Sequence, residues 1–197
     1  MSGKHTHVFA LQPEQFSFTP DHLAEAKRII AKYPPGRQQS AVMPLLALAQ
    51  KQHHNWLPKA AMDYVAAMLG MPPIRVYEVA TFYTMYNLKP VGKHHVQVCT
   101  TTPCWLRGSD AIVKTCEKHL GIACGETTVD HAFTLSEVEC LGACVNAPMM
   151  QVTTAGGADV YLEDLTPAAT EKVLDALASG EPITPGPQTG RKSSEPA

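Results

Sequence analysis

Apolar residues recur at helical spacing through the first 90 residues of the chain. Four runs have this pattern, and proline or glycine bounds each of them, as expected where helices begin and end. Thr19 is a good helix cap, and Pro20 suits a first helical position. We predict helices that begin near residues 20, 38, 58 and 72 and end near residues 33, 52, 70 and 86. Residues 19–92 are therefore predicted to be a small helical bundle, preceded by a flexible arm, residues 1–18.

From residue 93 the pattern becomes a mixture of strand-like alternation and helical runs. Residues 95–98 and 133–139 are typical of strands, and a helix is predicted from about Trp105 to His119. A hairpin over residues 149–162 and a helix from Thr166 to Gly180 complete the pattern. This order predicts an α/β sandwich over residues 93–180. The remainder, residues 181–197, is rich in Pro, Gly and Ser and is predicted to be an extended tail.

Two short cysteine pairs lie where strand-like runs give way to small, turn-forming residues. Four residues separate Cys99 from Cys104, and three separate Cys140 from Cys144. If the two strands end at one edge of a sheet, four thiolates converge there. Soft thiolate ligands favour a tetrahedral zinc ion or an iron-sulfur cluster.

The spacing within the pairs favours the cluster. Structural zinc sites usually have two residues between paired cysteines, whereas these gaps are wider. In a 2Fe-2S cluster each iron takes two protein thiolates. We interpret the four cysteines as the ligands of one such cluster, with a zinc site and unliganded thiols as alternatives. Cys116 is expected in a helix facing a core and Cys124 in a loop, and neither is assigned to the site.

Several other residues near the pairs bear on this interpretation. Gly142 and Thr100 to Thr102 are small enough for backbone N–H groups to point at sulfur, which would offset the negative charge of a cluster. Arg107 either adds positive charge or is solvated, and Pro148 is a candidate for a cis peptide bond, with trans as the default. The histidine pairs 53–54 and 94–95 are expected at the surface and not as ligands.

Composition limits the classes of function. The 197 residues include 45% hydrophobic and 17% charged residues and have a formal net charge of −2, which does not indicate a nucleic-acid partner. No run is long enough to span a membrane, and residues 1–9 lack the features of a secretory signal or transit peptide. We therefore expect a cytoplasmic protein, in a reducing compartment where cluster binding is favoured over disulfides.

The helices around residues 70–73 also permit a DNA-binding helix-turn-helix. However, the outer face of the fourth predicted helix carries Glu78, Thr81 and Thr84 instead of a basic cluster. A zinc-stabilised or DNA-binding module is therefore only a weak alternative.

Five stretches of the chain together resemble a known family. They are VYEVATFYTMY (residues 76–86), KPVGK (89–93), QVCTTTPC (97–104), EVECLGACVNAP (137–148) and PGPQTGR (185–191). These motifs closely resemble the small 2Fe-2S subunit of the NADH-dehydrogenase module of respiratory complex I, the NADH:quinone oxidoreductase that acts as a translocase. The likeness extends from about residue 33 to residue 191.

The resemblance implies a fold, a cofactor and partners. It implies a helical N-terminal domain followed by a thioredoxin-like 2Fe-2S ferredoxin domain, with one cluster bound by Cys99, Cys104, Cys140 and Cys144. It also implies electron exchange with the FMN of a partner subunit that binds NADH, and contacts with other subunits of the peripheral arm. The chain would have no NADH site of its own and no membrane insertion. The complex would lie on the cytoplasmic side of the bacterial inner membrane, or on the matrix side in an organelle. A soluble NAD-linked formate dehydrogenase or hydrogenase is the alternative with similar chemistry.

Overall fold

The computed structural model describes residues 12–154 and 156–192. The chain divides into two compact units, with the division between Pro90 and Val91. Within the described ranges, no helix is both long enough and apolar enough to cross a membrane.

The first unit is built from the four helices that the sequence predicts. Thr19 Oγ1 accepts a hydrogen bond from the backbone N–H of His22, and Gly70 ends the third helix in the left-handed conformation that glycine adopts without strain. A 3-10 turn, Gln38–Ala41, precedes the second helix. The apolar faces of the four helices form one core, in which the largest buried side chains include Leu45, Leu46 and Val65. The helices are α1 (Pro20–Ile30), α2 (Val42–Gln52), α3 (Lys59–Leu69) and α4 (Pro73–Phe82).

Two details of the first unit differ from the sequence-based expectations. Helix α4 ends at Phe82 and not near residue 86, because Tyr83 takes an extended backbone conformation. Tyr86 then lies in the core, and its hydroxyl donates to the carbonyl of Met43 at 2.9 Å. Residues 12–18 of the expected flexible arm pack against the bundle through edge-to-face contacts of aromatic rings, including that of Phe18 with Tyr64. Residues 1–11 of that arm lie outside the described residues.

The second unit contains a mixed five-stranded sheet. Strand β1 (His94–Cys99) is parallel to β2 (Phe133–Val138) and antiparallel to β3 (Met150–Thr153). Strand β4 (Asp159–Glu163) forms a hairpin with β3, as predicted, and β5 (Gly186–Pro187) pairs with β4 in parallel, so the sheet order is β2-β1-β3-β4-β5.

Three helices accompany this sheet: α5 (Thr102–Leu106), α6 (Ser109–Leu120) and α7 (Pro167–Ser179). Helix α6 packs on β1, β2 and α7. The single helix expected from Trp105 to His119 is in fact two, because Gly108 has a φ of 92° and interrupts the helical backbone. This break makes the segment from 102 to 106 a separate short helix that contains Cys104.

The tail and the second histidine pair also differ from expectation. Residues 186 and 187 pair with β4, so the described part of the tail, through residue 192, belongs to the folded unit. His94 and His95 are buried, not at the surface, because β1 lies in the interior of the sheet. The His95 ring nitrogen Nε2 lies 2.9 Å from Ser136 Oγ on the neighbouring strand.

Candidate metal centre

The carboxyl ends of β1 and β2 bring the two cysteine pairs to one edge of the sheet. Cys99 is the last residue of β1 and lies opposite Val138, the last residue of β2. The backbone N–H of Thr100 donates to the Val138 carbonyl at 3.2 Å, which extends the ladder by one step. Cys140 follows Val138 by two residues in the sequence. Both cysteine motifs therefore begin at the same edge of the sheet, and their joining in one ligand set stays a prediction.

The first pair is buried. Cys99 and Cys104 are each 1% exposed and share a small apolar cluster with Ala147 and Met149. The short helix α5 brings Cys104 into the same apolar cluster as Cys99. Burial, followed by the interaction with Cys99, raises the pKa of Cys104 to about 12, so the free thiol resists deprotonation.

The second pair is more accessible. Cys140 is exposed and Cys144 is partly exposed, and their Sγ atoms lie 3.2 Å apart. The shared hydrogen bond is the main cause that lowers the pKa of Cys140 and raises that of Cys144, as expected when the Cys144 thiol donates to the Cys140 sulfur. Gly142 adds a backbone N–H donor at 3.4 Å from Cys140 Sγ, and its φ of 89° requires glycine.

Thr101 connects the two pairs. Its hydroxyl oxygen lies 3.2 Å from Cys99 Sγ, and the same side chain helps to lower the pKa of Cys140. Only the small size of this residue was used in the prediction from the sequence, and the role of its hydroxyl was missed. A threonine between two cysteines of one motif was the available signal, but the contact with the second pair depends on the packing of the two strands.

The donor set suits a cluster with two thiolates on each of two irons. All four donors are sulfur, and they are arranged as two close pairs, with Cys144 near enough to both Cys99 and Cys104 for electrostatic interaction. In the described part of the chain, no three His, Cys, Asp or Glu side chains lie together as a group that could hold a metal ion. Binding of iron would displace the thiol protons that these contacts now share.

The other two cysteines lie elsewhere, as expected. Cys116 is fully buried in the main core of the second unit, and burial raises its pKa to about 12. Cys124 is partly exposed in a loop, and its pKa is raised to about 11, chiefly by burial. Cys124 and Glu117 also raise the pKa of Cys116, and Glu137 and Glu117 also raise that of Cys124.

The loop that follows Cys144 is fixed from several sides. The Ala147–Pro148 peptide is cis, and the exposed Arg107 donates from Nε to the Ala147 carbonyl at 3.5 Å. On the other side of Cys144, between the two cysteines of the second pair, the Leu141 carbonyl accepts a hydrogen bond from the Tyr161 hydroxyl at 2.9 Å. Sequence reasoning missed three further residues around this loop, which form a hydrogen-bonded group: Asn146, Asp164 and Arg191.

This sheet topology with four cysteines at one edge defines an iron-sulfur protein of thioredoxin-like fold. The sequence profile of the thioredoxin-like 2Fe-2S ferredoxin family matches residues 26–178, and the chain belongs to this family. Its cofactor is accordingly a 2Fe-2S cluster, as predicted.

Close relatives belong to respiratory enzymes. The chain is 60% identical to the E subunit of the NADH-quinone oxidoreductase of Rickettsia conorii over 162 residues, which are 82% of this chain and 94% of that protein. It is 54% identical to the mitochondrial NADH dehydrogenase [ubiquinone] flavoprotein 2 of Dictyostelium discoideum over 180 residues, which are 91% of this chain and 71% of that protein. The resemblance noted from the sequence motifs is thereby confirmed.

Similarity to a solved structure supports the assignment of the fold but carries no information about function. An NAD+-reducing nickel-iron hydrogenase in its H2-reduced state superposes with a TM-score of 0.58 at 18% sequence identity. The match covers 71% of this chain and 23% of the hydrogenase chain.

Proposed function

We propose that the chain is the small electron-transfer subunit of an NADH:quinone oxidoreductase, with its 2Fe-2S cluster bound by Cys99, Cys104, Cys140 and Cys144. The observation that supports the ligand assignment is that the two cysteine motifs begin at the ends of the adjacent parallel strands β1 and β2. The relatives from Rickettsia conorii and Dictyostelium discoideum support the choice of complex.

When bound, the cluster supplies a carrier that accepts and releases one electron. The residues of this chain anchor it and control its surroundings. Two thiolates come from a buried pair and two from an accessible pair, so one side of the site is sealed by apolar side chains while the other faces the surface. The Thr101 hydroxyl and the Gly142 N–H lie within hydrogen-bonding distance of sulfur and favour the more negative, reduced state.

The partner in this proposal is the subunit that binds NADH and FMN. Three apolar residues lie within two positions of a site cysteine and are nevertheless exposed: Trp105 (56%), Leu106 (71%) and Val145 (73%). Large apolar side chains of this kind are typical of protein interfaces. Docking there would place the accessible cysteine pair beside the flavin of the partner. We further propose that this chain lies in the peripheral arm, on the cytoplasmic side of a bacterial membrane or on the matrix side in an organelle.

The test is affinity purification of the tagged chain from its native cells, followed by identification of associated subunits. We expect a subunit that contains FMN, together with membrane subunits of the quinone reductase. Association with a nickel or molybdenum subunit instead would favour the hydrogenase or formate dehydrogenase and overturn the proposal.

A matched pair of variants tests the docking surface. Trp105→Ala is expected to weaken binding of the flavin subunit by roughly 30-fold, because truncation of a central interface tryptophan often costs about 2 kcal/mol or more. Val129→Ala is the control, since Val129 is fully exposed but lies away from the site cysteines in the sequence. Equal affinity of the two variants for the flavin subunit would contradict a docking role for Trp105.

A further inference from the structure

We propose that Arg191 is a positioning residue for the second cysteine pair and that the C-terminal segment containing it is part of the cluster-binding apparatus. This inference rests on the proposed function, since it assumes that Cys140 and Cys144 hold the cluster. Arg191 lies 47 positions beyond Cys144 in the sequence, yet its guanidinium contacts the turn that Cys144 begins.

The guanidinium forms a two-pronged ion pair with Asp164. Nε lies 2.5 Å from Asp164 Oδ2, and Nη2 lies 2.6 Å from Oδ1. The two side chains are only 14% and 9% exposed. The three other bridges between acidic side chains and Lys or Arg in the described ranges involve side chains that are more than a third exposed on both sides. The Arg191–Asp164 pair is therefore unusual within this chain for its burial and its bidentate geometry.

The same guanidinium also contacts the cysteine loop. Nη2 donates to Asn146 Oδ1 at 2.7 Å and reaches the Val145 carbonyl at 3.5 Å. Asn146 belongs to the 3-10 turn Cys144–Asn146, so these contacts act on a single turn that includes a proposed ligand. The backbone adds a third connection, since the N–H of Asp164 donates to the Asn146 carbonyl at 2.8 Å.

The tail brings Arg191 to this place along a defined path. Gly186–Pro187 pairs with β4, and the N–H of Gln188 donates to the Glu163 carbonyl at 2.9 Å. The Thr189 hydroxyl then reaches Asp164 Oδ2 at 3.4 Å. Residues 186–191 thus form a strap that runs along the edge of the sheet and ends at the cysteine loop.

This arrangement supports a role for Arg191 in positioning the cysteine turn more than a role in stabilising the fold. A buried ion pair recovers little net free energy after desolvation, so its contribution to stability is weak on general grounds. A rigid guanidinium with several donors can, however, hold a carboxylate, an amide and a carbonyl in one fixed arrangement, which a flexible ammonium group cannot do. The result is a turn whose Cys144 is held in place before the cluster binds.

The test compares Arg191→Gln and Arg191→Lys with Arg75→Gln in the full-length, cluster-loaded chain. Arg75 is a matched control because it also forms an ion pair, with Glu78 three residues along helix α4, but is exposed and lies in the first unit. Three properties are measured: the EPR g-values and visible circular dichroism of the cluster, the rate of cluster loss to a chelator, and hydrogen exchange at the amides of Asn146 and Ala147.

Both Arg191 variants are expected to change the cluster spectra and to lose the cluster at least about tenfold faster, because each removes charge-assisted hydrogen bonds from the turn. Amide exchange at the turn should rise by a similar factor, and Arg75→Gln should match the unsubstituted chain in all three. If Arg191→Lys behaved like the unsubstituted chain, positive charge alone would be sufficient and the positioning role would be wrong. Unchanged spectra and exchange in Arg191→Gln would also overturn the proposal.

Two truncated chains provide an independent test if the Arg191 variants fold poorly. A chain that stops after Gly190 keeps β5 but lacks Arg191, whereas a chain that stops after Lys192 keeps both. Only the first should show the rapid cluster loss and the increased exchange, and equal behaviour of the two would contradict the proposal. Exchange can be measured on the cluster-free chain, so its outcome is independent of whether the four cysteines prove to be the ligands.

Discussion

Cys99 and Val138 lie opposite each other at the carboxyl ends of the parallel strands β1 and β2. This one pairing determines where both cysteine motifs begin, because Cys99 opens the first motif and Cys140 follows Val138 by two residues. A shift of one residue in register would turn the side chains of β2 to the opposite face. The position of the cluster site therefore depends on the register of two strands whose sequences are more than 30 residues apart.

Serine substitutions separate the proposed ligands from the remaining cysteines. Cys99→Ser or Cys140→Ser should remove the cluster or strongly perturb its absorption and EPR spectra, because a hydroxyl is a poor substitute for a thiolate on iron. Cys116→Ser should retain two irons per chain while losing about 1–2 kcal/mol of stability, since it places a hydroxyl in an apolar core. Loss of the cluster in Cys116→Ser with retention in Cys99→Ser would reverse the ligand assignment.

The Thr101 hydroxyl is expected to raise the reduction potential of the cluster. Thr101→Val keeps the shape of the side chain but removes the hydroxyl that lies 3.2 Å from Cys99 Sγ. If the loss of this hydroxyl favours the oxidised cluster by about 1 kcal/mol, the reduction potential of the cluster falls by roughly 40 mV for a one-electron step. Redox titration followed by EPR measures the change. Thr100→Val is the matched control, and an equal shift in both variants would exclude a specific role for the Thr101 hydroxyl.

Gly92 permits a close approach of two backbone segments. A Cβ atom at this position would lie 2.6 Å from the carbonyl carbon of Phe133, at the start of β2. The N–H of Gly92 also donates to Thr134 Oγ1 at 2.6 Å. Gly92→Ala should therefore cost about 2 kcal/mol or more of unfolding free energy in urea titrations, as expected for overpacking against backbone.

Gly156→Ala is the control for this substitution. Apart from its own chain neighbours, no described residue has a heavy atom within 4 Å of the position that a Cβ atom would take at Gly156, so the added methyl group meets open space. The unfolding free energy of this variant should stay within about 0.5 kcal/mol of the unsubstituted chain. A Gly92→Ala variant as stable as Gly156→Ala would contradict the close approach to Phe133.

Stability should depend on pH through His95. Burial lowers the pKa of His95 to about 4, against an ordinary value near 6.5 in the unfolded chain. Between these values the unfolded state binds more protons than the folded state, so stability is complete above about pH 6.5 and falls as the pH decreases towards 4. The loss attributable to His95 at pH 5 is about 2 kcal/mol.

The measurement is urea unfolding of the unsubstituted chain and of His95→Gln at pH 5 and pH 8. The difference between the two proteins removes effects common to both, including the lowered pKa of the neighbouring His94. The variant should lose about 2 kcal/mol less stability on acidification. An identical pH dependence in the two proteins would show that His95 is not held in its neutral form.

Local sequence signals predicted most of the architecture. Thr19 with Pro20 and Thr166 with Pro167 marked helix starts that the structure has at those residues, and the alternation around residues 95–98 and 133–139 marked β1 and β2. The break at Gly108 was missed because an isolated glycine within a helical pattern is usually tolerated. The buried position of His94 and His95 was missed because it follows from the place of β1 between two other strands, not from its own sequence.

The surroundings of the site were harder to predict than its cysteines. The two pairs were visible as spacing, whereas the influence of Thr101 on the pKa of Cys140, 39 positions further along the chain, was not. Arg191 is more distant still, in a segment whose composition is typical of an unfolded tail. Its contact with Asn146 depends on the pairing of β5 with β4, and a two-residue strand has no periodic pattern in the sequence.

The most direct measurement is low-temperature EPR of the purified chain before and after dithionite reduction, with iron and zinc counted on the same sample. A 2Fe-2S cluster on four cysteines should give a signal only after reduction, with two irons per chain and no stoichiometric zinc. A colourless, EPR-silent protein with one zinc would contradict electron transfer by this chain and would assign the four cysteines to a structural metal site.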